Sequence, residues 1–436
     1  MRAPESAMSA QETRGADAGQ TADPRLVAGR HFLFLQGMPS PFFPRIAQAL
    51  REHGHRCTRI NFCLGDRLFW HGPDAIDYRG DLAGWPRFIE NFLEREGVTD
   101  LLLLGEQRHY HREAVHAALA RGVEVTVNDF GYIRPDWITW ERNGMSGASQ
   151  FPRDAAAIRA LAAACPEPDW APRFHDSGLR MAAADLLYNF ANLLPLPRYA
   201  GYQRSDRRPP TLRYTAASAR RLLGNRLLRQ RMHELVAGVE GSGKPYYVFP
   251  LQLDFDFQIV AYSPYPGIEQ AVEQVLQSFA LHAPPETLLV LKEHPWDPAL
   301  RDWAKVCARI ARGLGIARRV QYLRGGYLDT LIRGSAGVVT VNSTSGLRTL
   351  QLGRPLQVLG QAVYDVPGLS FQHGLDRFWT EAAAPDPQLT QDLLRALAGC
   401  IQIRGVYFQE PGLGHGVHEA VQRLLQRRVG LPPARA

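Results

Sequence analysis

The chain has few cysteines, and none of them forms a pattern. Cys57, Cys63, Cys165, Cys307 and Cys400 are odd in number and scattered over 436 residues. There is no C-x-x-C, and no Cys/His spacing suits zinc. This argues against a disulfide framework and a zinc site, and reads as reduced, mostly buried thiols in a cytosolic protein. Long apolar runs are also lacking. The run LLLL at 101–104 is far too short to span a bilayer. The N-terminal stretch has no apolar segment of the secretory kind, and its Ala, Gly, Ser and Glu content reads as a disordered tail over 1–29. Any membrane contact is therefore expected from the cytoplasmic surface. Nor does either charge sign dominate. Fifty Lys+Arg face 43 Asp+Glu, a net +7. Basic residues form only short clusters such as Arg207-Arg208 and Arg220-Arg221, without interleaved aromatics, so no nucleic-acid partner is expected. The modest positive balance suits nucleotides, phosphorylated substrates or anionic lipid, and equally a merely Arg-rich composition.

What is present is alternation. HFLFLQG, RCTRINF, VTDLLLLG and VEVTVND are short apolar runs that read as buried parallel strands. Between them, segments such as MPSPFFPRIAQALREHGH place Phe42, Ile46, Ala49 and Leu50 at helical spacing. CLGDRLFWHGP reads as a loop. This β-α-β order predicts a Rossmann-like domain over 30–150. An Ala-, Leu- and Arg-rich stretch over 151–243 reads as a helical connector. Alternation resumes with YYVFPLQ, TLLVLKEHP, RVQYLRG, AGVVTVNS and RPLQVLG, predicting a second Rossmann-like domain over 244–385 and C-terminal helices over 386–436. The expected class is α/β, with two Rossmann-like domains facing a cleft. Ligands in such sheets sit beyond the carboxyl ends of the strands.

GVEGSGKPYY, at 238–247, nearly spells a phosphate-binding loop. The order is wrong, however, because a helix precedes the glycines and a strand follows them. Pro245 stands where a hydroxyl belongs, and it supplies no N–H. The stretch reads as a helix C-cap and a hinge leading into the second domain.

Strand exits carry the chemistry. VEVTVND ends at Asp129, followed by Gly131 and Arg134, which reads either as a turn cap or as a nucleophile or base. TLLVLKEHP ends at Lys292-Glu293-His294-Pro295, which reads either as a solvated turn at Pro295 or as a cation and an imidazole suited to an anionic leaving group. AGVVTVNS ends at Asn342-Ser343-Thr344-Ser345, ahead of a helix, which suits a phosphate or equally an N-cap. YYVFPLQ leads through Gln252 to Asp254, Asp256 and Gln258, which share a face if the chain is extended. Arg108 and His111, after the third strand, are candidates to hold an acidic sugar, although a lone His is more often structural. No metal is required, since Lys, His and a helix N-terminus can neutralise a phosphate.

FLFLQGMPSPFF, NFCLGDRLFW, YRGDLAGWPRFI, GYIRPDWITWERNG, PLQLDFDFQI, LKEHPWD, VNSTSGLRTLQLGRPLQVLG and YDVPGL, in this order over roughly 31–408, resemble the capsule polysaccharide biosynthesis/export family of Gram-negative bacteria. They look most like its single-module β-Kdo transferases. The resemblance implies a GT-B-like retaining glycosyltransferase with no cofactor. It would move β-Kdo from CMP-β-Kdo to phosphatidylglycerol or lyso-phosphatidylglycerol on the inner face of the inner membrane, alongside the capsule assembly and export machinery. It casts His294-Pro295 as the nucleotide-holding motif, Ser343 and Thr344 as the hydroxyl pair at the donor phosphate, and Asp129 as the acid. Relatives carry two acids before that Gly, whereas here the pair is Asp129-Phe130, which makes Asp254, Asp256 and Glu106 stand-ins. Another CMP-sugar donor, or a non-catalytic adaptor of capsule assembly, remains the alternative.

Overall fold

The computed structural model describes residues 29–70, 72–204 and 208–433, so nearly all of the expected tail and part of the Arg207-Arg208 cluster lie outside it. Among the described residues, twelve strands form two sheets. The first domain supplies β1 (His31–Phe34), β2 (Arg56–Asn61), β3 (Ala75–Asp77), β4 (Asp100–Leu104), β5 (Glu124–Phe130) and β6 (Trp137–Arg142). The second supplies β7 (Tyr246–Pro250), β8 (Leu288–Lys292), β9 (Val320–Leu323), β10 (Gly337–Thr340) and β11 (Leu356–Val358), and β12 (Gln402–Arg404) follows near the C-terminal end. The second sheet runs β11-β10-β7-β8-β9, all parallel. The first runs β12-β6-β5-β4-β1-β2-β3, parallel from β3 to β5. Both contain the doubly wound order, whose reversal beside the first strand opens a crevice at the carboxyl ends. The expected pair of Rossmann-like domains is what the chain forms.

The parallel strands are near-continuous apolar runs because helices cover both faces. All of β4 is buried, including its one charge. Asp100 takes the Nε–H of buried Arg30 at 2.9 Å, so that charge is paired at the end of the sheet away from the cleft. The helix Phe42–Glu52 buries Phe42, Phe43, Ile46, Ala47 and Leu50, one stripe at helical spacing, against β1 and the C-terminal helix Gly412–Leu425.

Three expectations change. The tail is not purely helical: β12 pairs antiparallel with β6, and the last helix joins the first domain's core. CLGDRLFWHGP holds a short helix, Leu64–Leu68, whose Asp66 is tied to Arg59. The stretch after β7 is not extended. Asp256 caps the helix Phe257–Tyr262 by accepting from the Gln258 N–H at 2.9 Å, so Asp254, Asp256 and Gln258 do not share a strand face. Asp254 instead accepts from the Ile268 N–H at the start of the helix Ile268–His282.

The connector contains the helices Ala155–Ala164, Gly178–Ala191 and Thr211–Gly241. Gly238 and Gly241 belong to the last of these, and Gly243 follows at φ +65°. The near phosphate-binding motif is thus a helix end followed by a strand, as its order implies. The domains share core. Tyr132, Ile133, Trp137 and Ile158 pack in one cluster with Val248, Val290 and Val338 of the second sheet and with Leu393 and Leu397. Gln107 also donates to the Tyr262 hydroxyl at 2.8 Å across the interface.

Candidate active site

The β5 exit begins with a turn that only glycine fits. A Cβ on Gly131 would lie 2.4 Å from the Trp137 carbonyl oxygen, which also accepts the Gly131 N–H at 3.0 Å. Asp129 stands in β5 just before this turn, and Arg134 follows it. Asp129 accepts from the Phe130 N–H at 2.7 Å. Burial pushes its pKa up, while that N–H and the Arg134 and Arg108 charges hold it down. Phe130, the position where an acid is missing, packs edge-on against Tyr407 at 5.5 Å and lies beneath the Arg134 guanidinium at 5.2 Å. It therefore orients the cation beside Asp129.

Two further carboxylates approach Asp129. Glu106, in the loop after β4, is buried with Oε1 unpaired. Burial, assisted by the Asp129 charge, pushes it up to about 7. Asp256, from the second domain, is raised by burial and by the same Asp129 charge. Behind them Glu141 of β6 accepts the Tyr132 hydroxyl at 2.6 Å, and burial pushes it up to about 8. Asp129 is itself raised on balance, so all four carboxyls resist ionisation, and the arginine charges acting on Asp129 favour it as the one that carries charge.

Across the cleft, β8 ends in buried Lys292 and half-buried His294. The His294 Nδ1 accepts from the Trp296 N–H at 3.1 Å, which leaves the proton on Nε2. Burial, then the Lys292 and Arg134 charges, pushes its pKa down to about 4. His294 is therefore a neutral donor at pH 7. After β10, Ser343 accepts from the Ser345 N–H at 3.2 Å, and the buried Ser345 hydroxyl is unpaired. A Cβ on Gly346 would meet the Tyr364 ring at 2.5 Å, so the turn is held tight.

Arg134, Lys292, His294, Ser343, Thr344 and Ser345 line one cavity of about 1190 Å³ between the domains; Asp129 is not part of that lining and is tied to it through the charge of Arg134. The cavity is ample for a nucleotide-sized ligand. The connector and the helix Pro387–Cys400 add Trp170 and Arg395, and Arg348 lines the wall paired with Asp329 at 3.0 Å. The sequence reading missed these, because nothing in their local pattern signals a cleft that only the domain packing creates. Glu141 lay in WITWERN, which had not been read as a strand.

Other candidates have different jobs. Asn342 and Gln252 are buried and pair with each other, side chain to side chain at 3.0 Å, and the Asn342 amide also donates to the Gln258 carbonyl at 2.7 Å. They pin together the loops after β7 and β10 rather than offering groups to a ligand. Gln258 keeps a buried, unpaired Oε1. His111 is fully buried. Its Nδ1 donates toward the Leu104 and Gly105 carbonyls, at 3.0 and 2.8 Å, and burial pushes its pKa down to about 3. It has no charge with which to hold an acidic sugar. Arg108 stays at the site through its field on Asp129.

Two Rossmann-like domains that meet at a polar cleft define a GT-B-like architecture. The family described as "Capsule polysaccharide biosynthesis protein" matches residues 99–408, and the chain belongs to it. It is 28% identical over 395 residues to the capsule polysaccharide export protein KpsS of Escherichia coli, covering 88% of this chain and 98% of the relative. It is 27% identical over 390 residues to the capsule polysaccharide modification protein LipB of Neisseria meningitidis serogroup B, covering 88% and 93%. Among solved structures, the KpsC beta Kdo 2,7 transferase of Thermosulfurimonas dismutans is similar at 14% identity, covering 91% of this chain and 99% of that one, with a TM-score of 0.43.

Proposed function

We propose that this chain is a retaining glycosyltransferase that moves β-Kdo from CMP-β-Kdo to phosphatidylglycerol or lyso-phosphatidylglycerol at the cytoplasmic face of the inner membrane. It would work beside the capsule assembly machinery. The observation that carries this reading is the cleft itself. One wall offers a cation, a neutral imidazole N–H and hydroxyls at the second sheet's strand ends, and the other offers Arg134, whose charge acts on the Asp129 carboxylate at the β5 exit. Membership of a capsule polysaccharide family supports it.

In the first displacement the Asp129 carboxylate attacks the anomeric carbon. The bond from that carbon to the phosphate oxygen breaks, and CMP leaves with the electron pair. Lys292, the His294 Nε2–H and the Ser343–Ser345 hydroxyls take up the charge on the departing phosphate. In the second, the acceptor hydroxyl attacks the same carbon from the opposite face. The carbon–carboxylate bond breaks, returning its pair to Asp129, and the hydroxyl proton passes to Glu106. Two inversions retain configuration.

The test is direct. Purified protein, CMP-Kdo made in situ and lyso-phosphatidylglycerol should give a product one Kdo heavier by mass spectrometry. No product, with a competent relative active in parallel, would overturn the assignment. Asp129→Asn should abolish turnover with the fold intact; retained turnover would move the nucleophile to Glu106 or Asp256.

A further inference from the structure

The helix Gly178–Ala191 is amphipathic in the wrong sense for a helix packed only on its own domain. Its inner face carries Met181, Ala184, Tyr188 and Ala191, of which Met181 and Ala184 pack on the first domain's core. Its outer face repeats Leu179, Leu186, Leu187 and Phe190 at helical spacing, and the following turn continues with Leu193, Leu194 and Leu196. All seven are exposed, Leu179 by 82% and Leu194 by 59%. Seven of the seventeen exposed large apolar side chains among the described residues thus fall within 179–196, which makes a patch rather than scatter.

Charge gathers at the same place. In the sequence, residues 178–213 contain six arginines and two aspartates, with no lysine or glutamate, a net +4. Arg180 is exposed next to Leu179, and Arg213 sits next to exposed Leu212, while Arg198 is paired with Asp77 at 2.9 Å. Asp185 is neutralised by Arg208 at 2.9 Å. A second copy of this chain would bring like charge against like charge, whereas an anionic surface would meet both the apolar face and the basic rim.

The patch also lies over the first domain's strand ends. From the inner face of the same helix, Tyr188 accepts from the Gln36 amide at 2.9 Å, just beyond β1, and Asn192 accepts from the Gly65 N–H at 2.8 Å, beyond β2. What holds the apolar face outward is therefore the wall of the crevice where this domain's ligand belongs.

We propose that the outer face of Gly178–Ala191, with the turn to Leu196, docks in the interface of an anionic phospholipid bilayer, with the surrounding arginines at headgroup level. This deepens the acceptor reading above, because it gives a lipid-borne hydroxyl a route to the first domain. It can fail independently of the transfer chemistry.

The test uses the full chain in vesicle co-sedimentation. Binding to phosphatidylcholine mixed with phosphatidylglycerol should be at least about tenfold tighter than to phosphatidylcholine alone and should weaken with salt. Leu179→Ser, Leu187→Ser and Leu194→Ser together should abolish binding to the mixed vesicles at unchanged melting temperature. Arg180→Gln with Arg213→Gln should remove most of the preference for anionic lipid. On a short-chain acceptor soluble in water, the triple variant should turn over as the wild type does. That control separates loss of docking from failure of the transferase reading. The proposal is overturned if the wild type ignores anionic vesicles or binds both kinds equally. It is also overturned if the triple variant still binds, or if its only change is loss of a self-associated species in light scattering.

Discussion

Replacing His111 by Gln removes a titratable ring from a fully buried position at the β4 exit, and its effect on acid stability can be worked from the structure. The folded ring titrates at about 3, against 6.5 in the unfolded chain. The folded value is the lower one, so below 6.5 the unfolded chain takes up a proton that the folded chain refuses. Stability is intact above 6.5 and falls as pH drops. At pH 5 the loss from this one group is about 2 kcal/mol, rising to about 5 kcal/mol below pH 3. Glu106 and Glu141 act in the opposite sense. Their raised values, about 7 and about 8, favour the fold at low pH and withdraw that support as pH rises through them. Both are common to wild type and variant, so the difference between the two proteins isolates the histidine. Gln retains an N–H for the Leu104 and Gly105 carbonyls. Urea unfolding, followed by tryptophan fluorescence at about pH 7.5 and pH 5, should show the variant losing about 2 kcal/mol less than the wild type. Identical pH dependence in the two proteins would refute the reasoning. A turnover loss of about 100-fold at unchanged stability would instead return His111 to the sugar site.

His294→Ala should lower kcat by about 10²–10³-fold with little change in KM, the size of effect seen on losing one preorganised donor. Because burial pushes His294 down to about 4, its ring, followed by NMR, should show no titration between pH 5 and 8; such a step would refute its neutral role. If Glu106 takes the acceptor proton, kcat/KM should climb with pH through about 7, and Glu106→Gln should lose that limb; its persistence would place the base elsewhere. Gly131→Ala forces a Cβ to 2.4 Å from the Trp137 carbonyl, and calorimetry should show destabilisation of about 1–3 kcal/mol. Asn342→Leu leaves the buried Gln252 amide without its partner and should cost about 1–3 kcal/mol, with binding of CMP weakened only through loop disorder. Unchanged stability in either variant would show that the turn or the clasp is not what holds the strand exits.

Apolar periodicity determined most of the fold. Runs such as HFLF and DLLLL can be satisfied only between two helical layers, and their alternation with amphipathic segments leaves the doubly wound sheet as the solution. Strand exits were legible for the same reason, which is why Lys292, His294, Ser343, Thr344 and Arg134 all meet one cavity. The sequence also showed that GVEGSGK faces the wrong way, since helix-then-strand order is a local property. It could not show which polar residues at an exit are spent on the protein. Asn342 and Gln252 lie 90 residues apart yet satisfy each other, and His111 turns its ring onto its own strand end. Only domain packing brings Asp256 within reach of Asp129, returns β12 to the first sheet, and leaves the leucines of Gly178–Ala191 without cover. Periodicity reports which face of an element is apolar; whether that face meets a core or is left for a partner depends on contacts between segments far apart in the chain, and those exist only in the folded protein.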